Sequence, residues 1–296
     1  MFIKPEISSH PTHQPLHDAL FSILIPSWNN LPYLQLCINS LQKKSTYKHQ
    51  IIVHVNEGTD GTLEWVQSNG YDYTYSKTNA GVCYAVNAAA KLARTNYIVY
   101  FNDDMYACPE WDLILWQAIQ QNGTNLFYYS GTMIEYETGT NKAVLAPYNF
   151  GTRIEDFEEQ KLLQFVAHHT PKADWSGACW PPSIVHIDLW NKIGGYSEEY
   201  SPGFYSDPDF AMKLWNIGVR DFKGLGKSLV YHFKCKSTGR VERNDGRTTF
   251  MKKWGFSASY LYQHVLKVGE PITSIKPLRF KKGLPYFISS LKAKLK

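Results

Sequence analysis

The sequence predicts an α/β fold: a mixed, mostly parallel sheet flanked by helices. Three observations carry that reading. Short apolar runs at 21–25, 51–55 and 97–101 suit strands buried on both faces. Segments of helical spacing lie between them. Polar residues follow each run directly, where such a sheet presents the carboxyl ends of its strands.

In chain order, FSILI (21–25) is the first strand, and Pro26 is expected to end it. Pro32 then precedes Leu34, Cys37, Ile38 and Leu41, the spacing of one helix face. IIVHV (51–55) is the second strand, closed by the turn-rich NEGTDGT. Residues 71–75 alternate as a strand does, and Ala-rich 82–95 reads as a helix. YIVYF (97–101) runs straight into Asn102-Asp103-Asp104, and Pro109 marks where the next helix opens. In the second half, 126–134 and 229–233 read as strands, and 186–193 and 208–217 as helices. The acidic stretch 155–159 reads as a surface helix. One domain over 21–255 follows, with an N-terminal segment (1–20) and a C-terminal extension (256–296).

Composition narrows the function classes. With 44% hydrophobic residues, the 296-residue chain is long enough for a sizeable core. It holds no apolar stretch of membrane-spanning length, and its first twenty residues do not read as a signal peptide. Cys37, Cys83, Cys108, Cys179 and Cys235 are scattered without metal-type spacing, which predicts free thiols and a cytoplasmic setting. The net charge of +5 is unevenly spread. Residues 276–296 hold seven basic side chains and no acid; the 31 Lys and Arg less these seven leave 24 against 26 acids elsewhere. The body is therefore not a nucleic-acid surface. In the tail, Leu278, Phe280, Leu284, Tyr286, Phe287, Ile288 and Leu291 alternate with the cations, which suits an anionic membrane face or a solvated tail. Pro277, Gly283 and Pro285 confine any helix there to 286–296.

Three segments offer chemistry. Asn102-Asp103-Asp104 sets carboxylates at the mouth of the sheet, as a hard divalent cation sharing oxygens with phosphate requires; a solvated turn shows the same pattern. Asp207 precedes Pro208 and reads as a helix N-cap, whose dipole would lower its pKa; a carboxylate there can also accept a substrate proton. His232 lies on a strand, before a basic loop (Lys234, Lys236, Arg240, Arg243, Arg247, with Gly239 and Gly246) suited to closing over a diphosphate. A packed histidine and a solvated loop are the alternatives. Trp28, Trp175 and Trp180 are aromatic faces near these segments.

The order of motifs resembles the family-2 glycosyltransferases of the GT-A fold, a Rossmann-like architecture, from about residue 21 to 255. FSILIPSWNN resembles the family's opening strand and nucleotide-contacting turn. IIVHVNEGTDGT resembles the second strand and its turn, with Asn56-Glu57 in place of an acidic pair. KTNAGVCYAVNAAAKLA resembles its N-x-G-x-x-x-A-x-N helix, and YFNDDM falls at the metal-binding D-x-D motif. WSGACW, IGGYSEEY, SDPDF and VYHF follow in the family's order.

The resemblance implies roles residue by residue. Asp104 matches the last acid of D-x-D and His232 a histidine that joins the metal, Mn²⁺ or Mg²⁺. Asp207 matches the general base, with Ser206 in place of a glutamate. Pro26, Ser27, Trp28, Glu57, Asn79, Asn102 and Asp103 match or adjoin nucleotide-contacting positions, with Asn102 in place of the first acid. The implied function is inverting transfer of a sugar from a nucleotide-diphosphate sugar to an acceptor hydroxyl, in glycan or polysaccharide assembly. UDP is favoured over other nucleotides as the donor's carrier. A lipid-linked saccharide acceptor at the inner membrane face is expected if the tail binds membrane. Two other classes fit parts of the pattern: a catalytically silent sugar- or nucleotide-binding protein on the same fold, and a sugar nucleotidyltransferase. The latter requires a Gly-rich, basic turn after the first strand, and PSWNN has neither glycine nor base.

Overall fold

The computed structural model describes residues 4–12, 16–235, 240, 243–272 and 278–294. Its first half runs β1 (Ser8–His10), β2 (Ala19–Trp28), α1 (Leu31–Lys44), β3 (Lys48–Asn56), α2 (Thr62–Ser68), β4 (Asp72–Ser76), α3 (Gly81–Ala90), β5 (Tyr97–Tyr100), β6 (Met105–Ala107), α4 (Trp111–Asn122) and β7 (Phe127–Ile134). The second half runs α5 (Glu159–His168), β8 (Trp175–Ser176), β9 (Ser183–His186), α6 (Ile187–Ile193), α7 (Ser206–Asn216), β10 (Asp221–His232), α8 (Gly246–Trp254), α9 (Ala258–Tyr260) and α10 (Leu284–Lys294).

All strands join one sheet in the order β1-β4-β3-β2-β5-β9-β7-β10-β6, with β8 also on β10. The block β4-β3-β2-β5 is parallel, and β7 is parallel to β10. β9 runs antiparallel between β5 and β7, and β1, β6 and β8 are antiparallel to their neighbours. The apolar runs are strands because both faces are covered. Leu24, Ile52 and Ile98 point into one core with α3, α6 and α7, while Ile23, Ile25, Val53, Val55 and Val99 point into another with α1 and α4. A third cluster gathers Tyr106, Leu162, Tyr231 and Phe233 around α5.

Several boundaries depart from the sequence reading for identifiable reasons. β2 does not stop at Pro26 but continues to Trp28, with Pro26 beside His54 of β3. On its other side β5 pairs only as far as Leu24, whose carbonyl receives Phe101 N, so by the strand's alternation the missing N–H faces no partner. α3 ends at Ala90, short of 95, because Gln50 claims the next backbone groups. Its Nε2 donates to the Leu92 carbonyl at 2.8 Å and its Oε1 accepts from Arg94 N at 2.8 Å. The acidic stretch is not one helix. A 3₁₀ turn over Ile154–Asp156 ends as Phe157 turns in an extended conformation towards the third core, and α5 starts at Glu159. α10 opens at Leu284, two residues before the predicted 286, because Pro285 falls in the first turn, where its missing N–H has no helical partner. Residues 256–266 sit within the first core, with Phe256, Tyr260, Leu261 and Leu266 buried there.

Candidate active site

The parallel strands end at a cavity of about 680 Å³, walled by the segments that follow β2, β3, β5, β7 and β10 and by the loop before α7. Pro26, Ser27, Trp28, Asn79, Asn102, Asp103, Asp104, Asp207 and His232 all line it. Glu57 is not on that wall. Its backbone is left-handed (φ 60°) and its carboxylate accepts from Asn29 Nδ2 at 3.0 Å, while its neighbour Asn56 lines the cavity. Asn56 Oδ1 accepts from Ala80 N at 2.8 Å, tying the end of β3 to the start of α3. At that start Gly81 is left-handed (φ 74°), and a β-carbon there would meet Pro202 Cα at 2.6 Å. The helix mouth and the Pro202–Gly203 wall can therefore approach closely.

The acidic corner is built by β5, β6 and β10. Asp103 Oδ2 accepts from Ser27 Oγ at 2.7 Å, and burial together with the charge of Asp104 pushes the Asp103 carboxyl up. Asp104 is buried; its Oδ2 accepts from Cys235 N at 2.7 Å and its Oδ1 lies 3.5 Å from His232 Nε2. His232 Nδ1 is 3.1 Å from Glu135 Oε1, and Lys234 Nζ lies 3.4 Å from Glu135 Oε2. Burial alone would lower the imidazole pKa, but Asp104 and Glu135 carry it to about 9. Burial would raise the Glu135 carboxyl, but His232 and Lys234 hold it below its usual range.

Asp207 lines the same cavity and corrects two expectations. It is not the N-cap of α7: that position is Tyr205, left-handed at φ 70°, so Asp207 lies inside the first turn. Nor is its pKa lowered by the helix dipole. Burial raises it to about 7, against which the Tyr196 hydroxyl, 3.3 Å from Oδ1, pulls it down. Tyr100, Tyr128, Cys83 and Cys179 surround this carboxyl with apolar bulk, and no cation is paired with it among the described residues. Asp209, one turn face away, is fully buried and occupied structurally by Ser197 Oγ, Trp254 Nε1 and Lys253.

The basic segment after β10 is only partly a loop. Lys236 and Gly239 lie outside the described residues, and α8 begins at Gly246, so Arg247 is helical and exposed. Arg240 closes one side of the cavity: its guanidinium sits 4.2 Å from the Trp28 ring centroid and donates to the Trp28 carbonyl at 2.9 Å. Lys234 lines the same rim. Trp180 and Tyr136 add aromatic wall, whereas Trp175 is buried in the sheet. Glu135 and Tyr196 were not singled out by sequence, and Asn56 entered only as a departure from the family's acidic pair. Glu135 had a usable signal, since it follows β7 directly, as Asn102 follows YIVYF.

The donor set suits a divalent cation. Among the described residues no three His, Cys, Asp or Glu side chains are grouped to enclose a metal alone. Asp104 and His232 supply two donors beside an open cavity, and Glu135 holds the other imidazole nitrogen, as is usual for a ligating histidine. Mg²⁺ and similar ions are commonly held this way, by one or two carboxylates with the remaining positions filled by water and substrate phosphates.

Residues 22–173, over half of the chain, match the model of Glycosyl transferase family 2. The chain belongs to that family. Chondroitin synthase of Pasteurella multocida (strain Pm70) and hyaluronan synthase of Pasteurella multocida are each 25% identical to it over 214 residues, covering 70% of this chain and 20% of theirs. The chain thus spans about a fifth of the length of these relatives. Among solved structures, S. aureus TarS 1–349 in complex with UDP-GlcNAc aligns with a TM-score of 0.56 at 16% identity, over 80% of this chain and 65% of that one. GalNAc-T7 with UDP, GalNAc and Mn²⁺ aligns with a TM-score of 0.54 at 13% identity, over 78% and 45%. These likenesses establish the GT-A fold of this family-2 chain. No described helix is long and apolar enough to cross a membrane, and all five cysteines are free thiols.

Proposed function

We propose that this chain transfers a sugar, with inversion, from a UDP-sugar to the hydroxyl of a growing glycan. The observation that carries the reading is Asp207. It lines the cavity, is paired with no cation among the described residues, and burial pushes its carboxyl up to about 7, where a general base works best at neutral pH. The acidic corner of Asp103, Asp104 and His232 lines the same cavity.

In this reading the donor's base lies along Pro26–Trp28 and Asn56, with Trp28 offering its ring and Asn79 at the helix mouth. Asp104 and His232 would hold a metal, Mn²⁺ or Mg²⁺, which would offset negative charge on the donor diphosphate. Arg240 and Lys234 add positive charge at the rim. Asp207 takes the proton of the acceptor hydroxyl as it attacks the anomeric carbon from the face opposite the diphosphate. Trp180, Tyr136 and the Pro202–Tyr205 segment form the wall available to the acceptor. UDP is supported by the UDP complexes of the structural neighbours, Mn²⁺ by that of GalNAc-T7, and a glycan acceptor by the names of the Pasteurella synthases. The free thiols support a cytoplasmic site of action.

The test is a panel of nucleotide sugars assayed for metal-dependent donor hydrolysis and for transfer to oligosaccharides, with anomeric configuration read by NMR. Release of UDP with inverted product supports the reading. Binding without turnover of any donor would leave the silent binding protein instead.

A further inference from the structure

Of the six large apolar side chains exposed among the described residues, four lie on α10: Leu284, Phe287, Ile288 and Leu291, at 74%, 60%, 50% and 60% exposure. Their spacing, i, i+3, i+4, i+7, puts them in one stripe. The helix carrying them is firmly seated by its opposite face. Ser289 and Ala293 are buried, Ser289 Oγ accepts from Ser257 N at 2.8 Å, and Tyr286 packs among Phe256, Tyr260 and Phe280. The stripe is thus held outward by the fold.

Charge identifies what covers it. At 3.6 residues per turn, Lys292 and Lys294 fall roughly 90° to either side of the stripe. Arg279, Lys281 and Lys282 precede the helix, and the sequence holds no acid after Glu270. A second copy of the chain laid on this face would bring cations against cations. An anionic lipid surface instead receives the apolar stripe between acyl chains while the flanking lysines reach the headgroup phosphates. We infer that α10 is an interfacial membrane-binding helix for anionic lipid, with Leu284, Phe287, Ile288 and Leu291 inserted and the neighbouring cations on phosphate. α10 packs on α8, whose first residue, Gly246, abuts the Phe204 carbonyl of the cavity wall, so the docked face and the acceptor wall belong to one packed unit.

The experiment is co-sedimentation of the full chain with phosphatidylcholine vesicles with and without phosphatidylserine. Expected is binding only with phosphatidylserine, falling with salt. Lys292→Gln/Lys294→Gln should weaken it roughly 30-fold, from the loss of two charges near the surface. Leu284→Ser/Phe287→Ser/Ile288→Ser/Leu291→Ser should abolish it while leaving vesicle-free donor turnover unchanged and the thermal midpoint nearly so, since none of the four lines the cavity and all are at least half exposed, Phe287 meeting the core-packed Tyr286 ring from outside at 5.6 Å. Failure of the wild-type chain to sediment, or sedimentation of both variants equal to wild type, would overturn the inference. So would wild-type self-association that the four serines remove without any vesicle binding. Donor turnover is read separately, so a silent active site would not affect the outcome.

Discussion

The Tyr196 hydroxyl donates to Asp207 Oδ1 across 3.3 Å, and it stabilises the carboxylate that burial disfavours. If Asp207 is the base, it acts ionised, so kcat/KM should fall as pH drops through about 7. Tyr196→Phe removes a donor to the charged form and raises the Asp207 pKa. The acidic limb of the profile is then expected to move up by about one pH unit. A limb that stays in place would dissociate Tyr196 from the titration.

Asp207→Asn should keep nucleotide binding while transfer falls about 10²–10⁴-fold. It also carries a stability signature of unusual sign. Folded Asp207 keeps its proton up to about 7 rather than 3.8, so the folded chain binds more protons between those values, and ionisation destabilises the fold as pH rises through them. Because Asp207 is only half-buried, screening moderates the effect to about 2 kcal/mol at about pH 8. Asp207→Asn should therefore melt higher than wild type at about pH 8 and nearly equally at about pH 4, where the folded side chain is neutral in both. A lower midpoint at both values would contradict burial as the cause of the shift.

Gly81→Ala tests the joint between α3 and the cavity wall. The new methyl would sit 2.5 Å from Ser201 Oγ and 2.6 Å from Pro202 Cα, on a left-handed backbone. The expected cost is about 1–3 kcal/mol, with a larger rise in KM than loss of kcat as the wall shifts. Thermal melting and steady-state kinetics measure both.

Glu135→Gln removes the carboxylate on His232 Nδ1 without emptying the space. Metal affinity is expected to fall about 10–100-fold, as when outer partners of ligating histidines are lost. Titration of Mn²⁺ in the presence of UDP gives the number; unchanged affinity would remove Glu135 from the metal's support.

The framework was legible because FSILI, IIVHV and YIVYF are buried on both faces and interrupted by helical spacing. The polar ends of those runs marked the site for the same reason. Short antiparallel pieces were not: Met105–Ala107 and Ser183–His186 carry too few residues to show a period, and only β10, β5 and β7 make them strands. The environment of Asp207 was likewise hidden. A local reading sees a helix mouth, whereas Tyr100, Tyr128 and Cys179 come from distant segments, and their bulk outweighs the dipole. Glu57 lies off the cavity wall because its own left-handed backbone turns its side chain to Asn29, which no local pattern announces.

The metal assignment makes the sharpest prediction about ligands. Asp104 is fixed by the Cys235 amide on one oxygen and faces His232 with the other, so it is oriented before any ion arrives. UDP with Mn²⁺ or Mg²⁺ should raise the thermal midpoint, corresponding to about 2.7 kcal/mol at a hundredfold excess over Kd. UDP with chelator should raise it far less. Asp104→Ala should abolish the metal-dependent part and leave a small nucleotide-only shift, because Trp28 and Asn56 remain. Asp103→Asn should be milder, since Asp103 is engaged by Ser27. Full turnover of the purified chain in excess chelator would end the metal reading and leave Arg240 and Lys234 to balance the diphosphate.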